Sequence, residues 1–189
     1  MTSKEVSTLL SKKLGELTAD ELSSYASGVL LTVGSIADFK YFLPRIIELS
    51  VSGGFDWPDP EVVFEKLKLA SWQNWPVDEI CAINNCLTQK ISSLLEDQNT
   101  DSFELDKWLC AIGLCVPDIA PFMKPLFDPV NNEKLINYAE HNVSGLVAGK
   151  LVNGFWDDAP QNEAQVRRLL NTDEVSIYLF SNYGIVLPP

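Results

Sequence analysis

Residues 38–76, DFKYFLPRIIELSVSGGFDWPDPEVVFEKLKLASWQNWP, decide the fold class of this chain. Phe39, Phe42, Leu43, Ile46, Ile47 and Leu49 recur at helical spacing and make an apolar face wide enough for a central helix. Pro44 falls in the middle of that face. Proline lacks the backbone donor and crowds the preceding turn, so the pattern predicts a short helix before Pro44 and a longer one starting at it. Gly53 and Gly54 end the segment, and Asp59-Pro60 opens the next helix with a cap and a proline at the first helical position. Trp75-Pro76 repeats the device, with Asp78 and Glu79 in the first turn, where the helix dipole favours acids.

Outward from this stretch the spacing stays helical, and no credible strand is legible. An amphipathic segment from Lys4 to Leu14 places Val6, Leu9, Leu10 and Lys13 near one stripe; residues 1–15 read as a helix or a loosely attached arm. Thr18 and Glu21 form a capping box for a helix carrying Leu22, Tyr25, Ala26, Val29, Leu30 and Val33 inward as far as Gly34. Ser35 or Asp38 opens the following element. After Pro76 a helix runs to about Leu95, and Asp101 with Glu104 caps another through Cys115. Pro117, Pro121, Pro125 and Pro129 allow only short turns. A long helix from Asn132 to Val152 is expected, then a loop, two helices near 161–170 and 173–183, and an extended GIVLPP tail. The sum is about nine helices in antiparallel pairs, a rhythm of HEAT or armadillo arrays. The expectation is a single all-α domain over residues 1–189, an irregular helical-pair array or alternatively a compact bundle.

The 189 residues carry 26 acids and 14 Lys or Arg, a net charge of −12, so a partner that is itself polyanionic meets repulsion. Nucleic acid and anionic membrane surfaces are therefore disfavoured as partners. The N-terminus lacks the apolar core of a secretory signal and no segment has the length of a membrane span, so a cytoplasmic location is expected.

Three elements in the opening stretch carry a resemblance: Phe39-Lys40-Tyr41-Phe42-Leu43-Pro44-Arg45, Asp59-Pro60-Glu61-Val62-Val63 and Trp72-Gln73-Asn74-Trp75-Pro76. Together they resemble an uncharacterised family of bacterial proteins sharing F-x-x-F-L-P-R, D-P-E-V-V and W-x-x-W-P. The resemblance covers about a fifth of the chain. It implies a bacterial, all-helical protein and carries no activity and no site residues.

Motifs with chemical potential are few. Cys-Ala-Ile-x-x-Cys occurs at Cys81–Cys86 and again at Cys110–Cys115. Zinc pairs sit two to four residues apart, whereas these are five apart on helices, with sulfurs pointing about 140° from each other. Buried free thiols are the better account. His141 is the only histidine, which leaves a Ser-His-Asp or Cys-His set resting on one residue in a polar stretch. Gly145–Lys150 has the wrong spacing for a phosphate loop and Leu151 where a hydroxyl should bind magnesium; close packing at Gly145 and Gly149 is expected instead. Glu61 and Glu65 share a helical face, as paired carboxylates of many solvated helices do. No cofactor and no metal ligand set is assigned.

Two groups are candidate partner-binding surfaces. Glu96, Asp97, Asp101, Glu104 and Asp106 crowd an interhelix loop with only Lys107 at its edge, a patch suited to steering a basic protein. Tyr41, Arg45, Trp57, Trp72 and Trp75 combine the residue types enriched in interface hot spots, and the tryptophans alternatively staple helix ends. The expected function is a non-catalytic module binding a cationic protein, an immunity-type inhibitor being one version. A small hydrolase using paired carboxylates and a structural subunit of a larger complex are the alternatives.

Overall fold

The computed structural model describes residues 2–187, which are all-α: eleven α-helices joined by loops and 3₁₀ turns, with no strand among the described residues. The chain divides into two compact units, Met1–Trp75 and Pro76–Pro189.

The first unit contains α1 (Ser3–Ser11), α2 (Ala19–Gly28), α3 (Ile36–Val51) and α4 (Pro60–Leu69). Thr2 with Glu5, Thr18 with Glu21, and Ser35 with Asp38 form reciprocal capping boxes, so three successive helices begin where side chains replace missing backbone partners. Leu9 buries α1 while Leu10 stays exposed, and Lys12 pairs with Glu21 of α2. That ion pair and the capping contacts hold the Glu21 carboxyl below its usual range.

Two expectations in this unit are corrected. The second helix ends at Gly28, not Gly34, because residues 29–33 turn back: Leu30 N–H donates to the Val33 carbonyl at 2.9 Å, with Leu30 and Gly34 at positive φ. Pro44 does not divide α3, which runs unbroken from Ile36 to Val51. Pro44 stands on the exposed face of α3. The opposite faces bury Phe39, Phe42, Leu43, Ile46 and Ile47, and that burial outweighs the lost hydrogen bond.

The second unit contains α5 (Val77–Glu96), α6 (Ser102–Cys115), α7 (Ala120–Met123), α8 (Asn132–His141), α9 (Val143–Val147), α10 (Pro160–Leu170) and α11 (Asp173–Tyr183). Helix α6 is its centre. Leu105, Asp106 and every residue from Trp108 to Cys115 are buried, and α5, α8, α10 and the 3₁₀ turn Gly154–Asp158 all pack on it. A stretch of helix enclosed on all sides, as from Trp108 to Cys115, needs internal partners for its polar atoms. Asn162 of α10 supplies them at the C-terminal end, donating to the carbonyls of Gly113 (2.7 Å) and Val116 (2.8 Å) and accepting from Ile119 N–H (3.2 Å).

The helix expected from Asn132 to Val152 is broken after His141. Asn142, fully buried, donates to the Tyr138 carbonyl at 3.2 Å and accepts Val152 N–H at 3.1 Å, which folds the later segment back. Gly149 turns the chain at positive φ, and Gly145 lies so close to the returning backbone that a Cβ there would stand 2.7 Å from the Lys150 carbonyl oxygen. Leu151 is thereby buried and its N–H donates to Glu163 at 2.9 Å. Of the GIVLPP tail, residues 184–187 are non-helical, and Pro188 and Pro189 lie outside the described residues.

Gly113 faces the indole of buried Trp156, and a Cβ there would lie 2.4 Å from the ring. Gly113→Ala is expected to destabilise the fold by about 1–3 kcal/mol through overpacking. Gly15→Ala, where a Cβ meets nothing within 4 Å, should leave the urea midpoint nearly unchanged; equal midpoints for both variants would sink this account. Tyr178 and Tyr183 of α11 both donate to Glu140 Oε1 of α8, the former at 2.8 Å. Those bonds favour the protonated phenols, raising Tyr178 and pushing Tyr183 up to about 12. A raised folded value stabilises below the unfolded value near 10 and the contribution disappears as pH climbs through the folded value. The melting temperature should therefore fall more steeply between pH ~10 and ~12 in the native chain than in Tyr183→Phe.

Candidate functional site

The end of α5, the loop after it and the start of α8 enclose a groove of about 770 Å³, within the size range of ligand sites. One wall carries Ser92, Glu96, Gln98 and Thr100; the other carries Asn131, Glu133, Lys134 and Asn137. Leu95, Pro125 and Val130 add apolar surface between the polar groups. A smaller recess of about 160 Å³ continues from it past Asp101 and Ser102 at the start of α6. Glu96, Asp97, Asp101 and Glu133 are exposed.

Lys134 organises the site. Its ammonium donates to the Asp97 carbonyl at 2.7 Å and the Thr100 carbonyl at 3.5 Å, tying the loop to α8. The cation thus sits at the C-terminal end of α5, where the helix dipole favours it. Loop order is completed locally: Asp97 Oδ1 accepts from Asn99 N–H at 2.9 Å, and Asp101 Oδ1 caps α6 by accepting Glu104 N–H at 2.8 Å.

The acidic run expected to act together is split by the structure. Glu96 lines the groove and Asp101 the recess beside it, while Asp97 meets Lys134 only through its backbone carbonyl. Glu104 faces a different neighbourhood, accepting from Trp108 Nε1 at 2.9 Å and pairing with Lys107 at 3.5 Å. Lys90 lies over the Trp108 ring at 4.7 Å; burial lowers its pKa while Glu104 opposes that shift. Asp106 is the clear correction. It is 1% exposed and cannot belong to a surface patch, because it faces inward on α6 toward α8. Its Oδ1 accepts from Tyr138 OH at 3.1 Å and Asn142 Nδ2 at 3.5 Å. Burial first, and Asp106 second, push the Tyr138 phenol well above its ordinary range.

The aromatic and arginine group belongs to the first unit and is largely engaged in packing. Trp72 is buried. Trp75 Nε1 donates to the Ala70 carbonyl at 3.2 Å, with Lys40 over its ring at 4.2 Å and Phe39 at its edge. Arg45 Nε donates to the Leu17 carbonyl at 2.9 Å and Nη1 pairs with Glu48 at 2.8 Å, joining α3 to the segment before α2. Tyr41 and Trp57 remain exposed.

The other motifs divide similarly. Cys110 and Cys115 are buried as expected, and burial pushes the Cys115 thiol up, but Cys81 is exposed and Cys86 half-buried on α5. Among the described residues no three His, Cys, Asp or Glu side chains converge as metal ligands. His141 ends α8, half-buried, its ring edge toward Phe103. Glu61 is buried in α4 while Glu65 pairs with buried Lys66 at 3.5 Å, so the two carboxylates do not face one space.

Sequence reading missed Glu133, Lys134, Asn131 and Asn137, the second wall of the groove. Nothing in residues 131–137 marks them, since their role depends on the approach of α8 to the end of α5. No protein family, curated protein or solved structure matches the chain.

Lys134→Met should remove the tie between loop and helix while keeping the apolar stem. Amide hydrogen exchange at residues 97–101 is expected to accelerate several-fold, with exchange in α6 unaffected. Unchanged loop protection would show that Lys134 does not order the groove.

Proposed function

We propose that this chain is a non-catalytic protein-interaction module, bacterial and cytoplasmic, that receives a basic segment of a partner in the groove between α5 and α8. An inhibitor or immunity role toward a basic protein is the concrete form of this reading. The observation that carries it is the charge arrangement of the groove. Glu96 and Glu133 stand on opposite walls and Asp101 lines the adjoining recess, while Lys134 spends its ammonium on two loop carbonyls.

The lining suits such a ligand. Lysine and arginine have apolar stems and charged heads, and the groove offers Leu95, Pro125 and Val130 beside its carboxylates. A net charge of −12 adds long-range attraction for a cationic partner and repels nucleic acid. Successive helices pack as neighbours, α2 on α3 and α5 on α6, as in helical-pair scaffolds that present loops to partners. The exposed position of Glu96 and Glu133 also favours binding over hydrolysis, because carboxylate chemistry gains from a site closed to water.

A lysine- and arginine-rich peptide is the direct probe, followed by calorimetry at several salt concentrations. The native chain should bind it with an affinity that falls as salt rises. Glu96→Gln with Glu133→Gln should weaken binding about tenfold or more and flatten the salt dependence. Equal binding by the double variant at low salt would rule the groove out as the recognition surface.

A further inference from the structure

The cation-binding groups of the groove between α5 and α8 are not equivalent, and one set is already in use. Carbonyls at the C-terminal end of a helix suit a compact ammonium, and Lys134 fills them, donating to Asp97 and Thr100. What stays available is of another kind. Among the described residues, the side chains of Glu96 and Gln98 on one wall and of Glu133 and Asn137 on the other have no hydrogen bond or ion pair. Glu96 and Glu133 are exposed, so both carboxylates are hydrated in the free protein. One turn before Glu133 stands Val130 at the groove. At 87% exposed, it is the most exposed large apolar side chain among the described residues.

We infer, resting on the reading of this groove as the surface for a basic segment, that its anchor is one arginine of the partner. The arginine lays its stem on Pro125 and Val130 while its guanidinium bridges Glu96 and Glu133. Geometry favours arginine over lysine. A guanidinium is a planar fork of N–H donors, so it gives a parallel pair to one carboxylate and still has donors for the facing wall. The amide oxygens of Gln98 and Asn137 can accept the rest. An ammonium is a point charge, and the carbonyls that would hold it are taken by Lys134. Hydration acts in the same direction. A ligand entering an open groove must surrender water, and a guanidinium is more weakly hydrated than an ammonium. The stem adds its own contact, since an aliphatic chain laid on Val130 removes apolar surface from water.

Charge sets the number. The groove lining carries the carboxylates of Glu96 and Glu133 and the ammonium of Lys134, one net negative charge, which a single guanidinium neutralises. A second cation in the same space would face Lys134 with no acid left to balance it.

Two peptides of identical length and charge test this, one carrying arginine and the other lysine at every basic position, each titrated into the full chain by calorimetry. The arginine peptide is expected to bind about tenfold or more tightly. Methylating its arginines keeps the charge but blocks the paired hydrogen bonds, and should bring the affinity down to about that of the lysine peptide. Glu96→Gln and Glu133→Gln, each alone, should shrink the preference by removing one end of the bridge. Val130→Ser should weaken the arginine peptide several-fold with the circular dichroism spectrum unchanged. Equal affinities for the two peptides, both lost in the Glu96→Gln, Glu133→Gln double variant, overturn arginine selection and leave the groove standing as the site of a basic segment. An arginine preference that survives in the double variant overturns both, because the selecting groups then lie elsewhere. A chain that binds neither peptide does the same.

Discussion

The burial of α6 on every side from Trp108 to Cys115 is the constraint from which the second unit follows. An enclosed helix cannot take water as a partner, so each polar atom it carries needs a counterpart on a neighbour. Asn162 meets the carbonyls at its C-terminal end, and Tyr138 with Asn142 meets the buried carboxylate of Asp106. These contacts fix where α10 and α8 lie. Trp156 against Gly113 fixes the Gly154–Asp158 turn in the same way, through close approach and not through hydrogen bonding.

The groove is a consequence of that placement. Asp106 and Leu105 draw α8 onto α6, and the N-terminal part of α8 then reaches the loop that leads from α5 into α6. Lys134 spans the remaining gap by donating to loop carbonyls. The side chains that face the solvent-filled space are those left over after packing is satisfied. They include three amides and two carboxylates beside Ser92, Thr100, Lys134 and the apolar Leu95, Pro125 and Val130. The polar site thus rests on a buried network that includes none of its own residues.

How far the sequence was legible depended on whether the deciding interaction was local. The capping box at Thr18, the cap at Asp101 and the proline-limited turns between Pro117 and Pro129 all act within a few residues and formed where their spacing placed them, and of the two starts offered for α3 the structure uses Ser35. Pro44 was misread because its effect depends on which face of α3 meets water. The helix expected through Val152 failed because Asn142 and Glu163 offer the 151–152 backbone partners that an uninterrupted helix would not use. Asp106 was grouped with its acidic neighbours, although Leu109, Cys110 and Gly113 on the same helical face already marked its side as interior. That signal was present and outweighed by proximity along the chain.

By itself the sequence determined the all-α class, most helix starts and the net acidity of the chain. These follow from short-range backbone chemistry and from composition, which need no knowledge of distant contacts. Tertiary structure alone decided which acids are surface groups and which is core. It also joined residues 96–101 to residues 131–137 as two walls of one groove. Exposure and proximity are properties of packed helices, and residues more than thirty positions apart acquire them only when the core between them has formed.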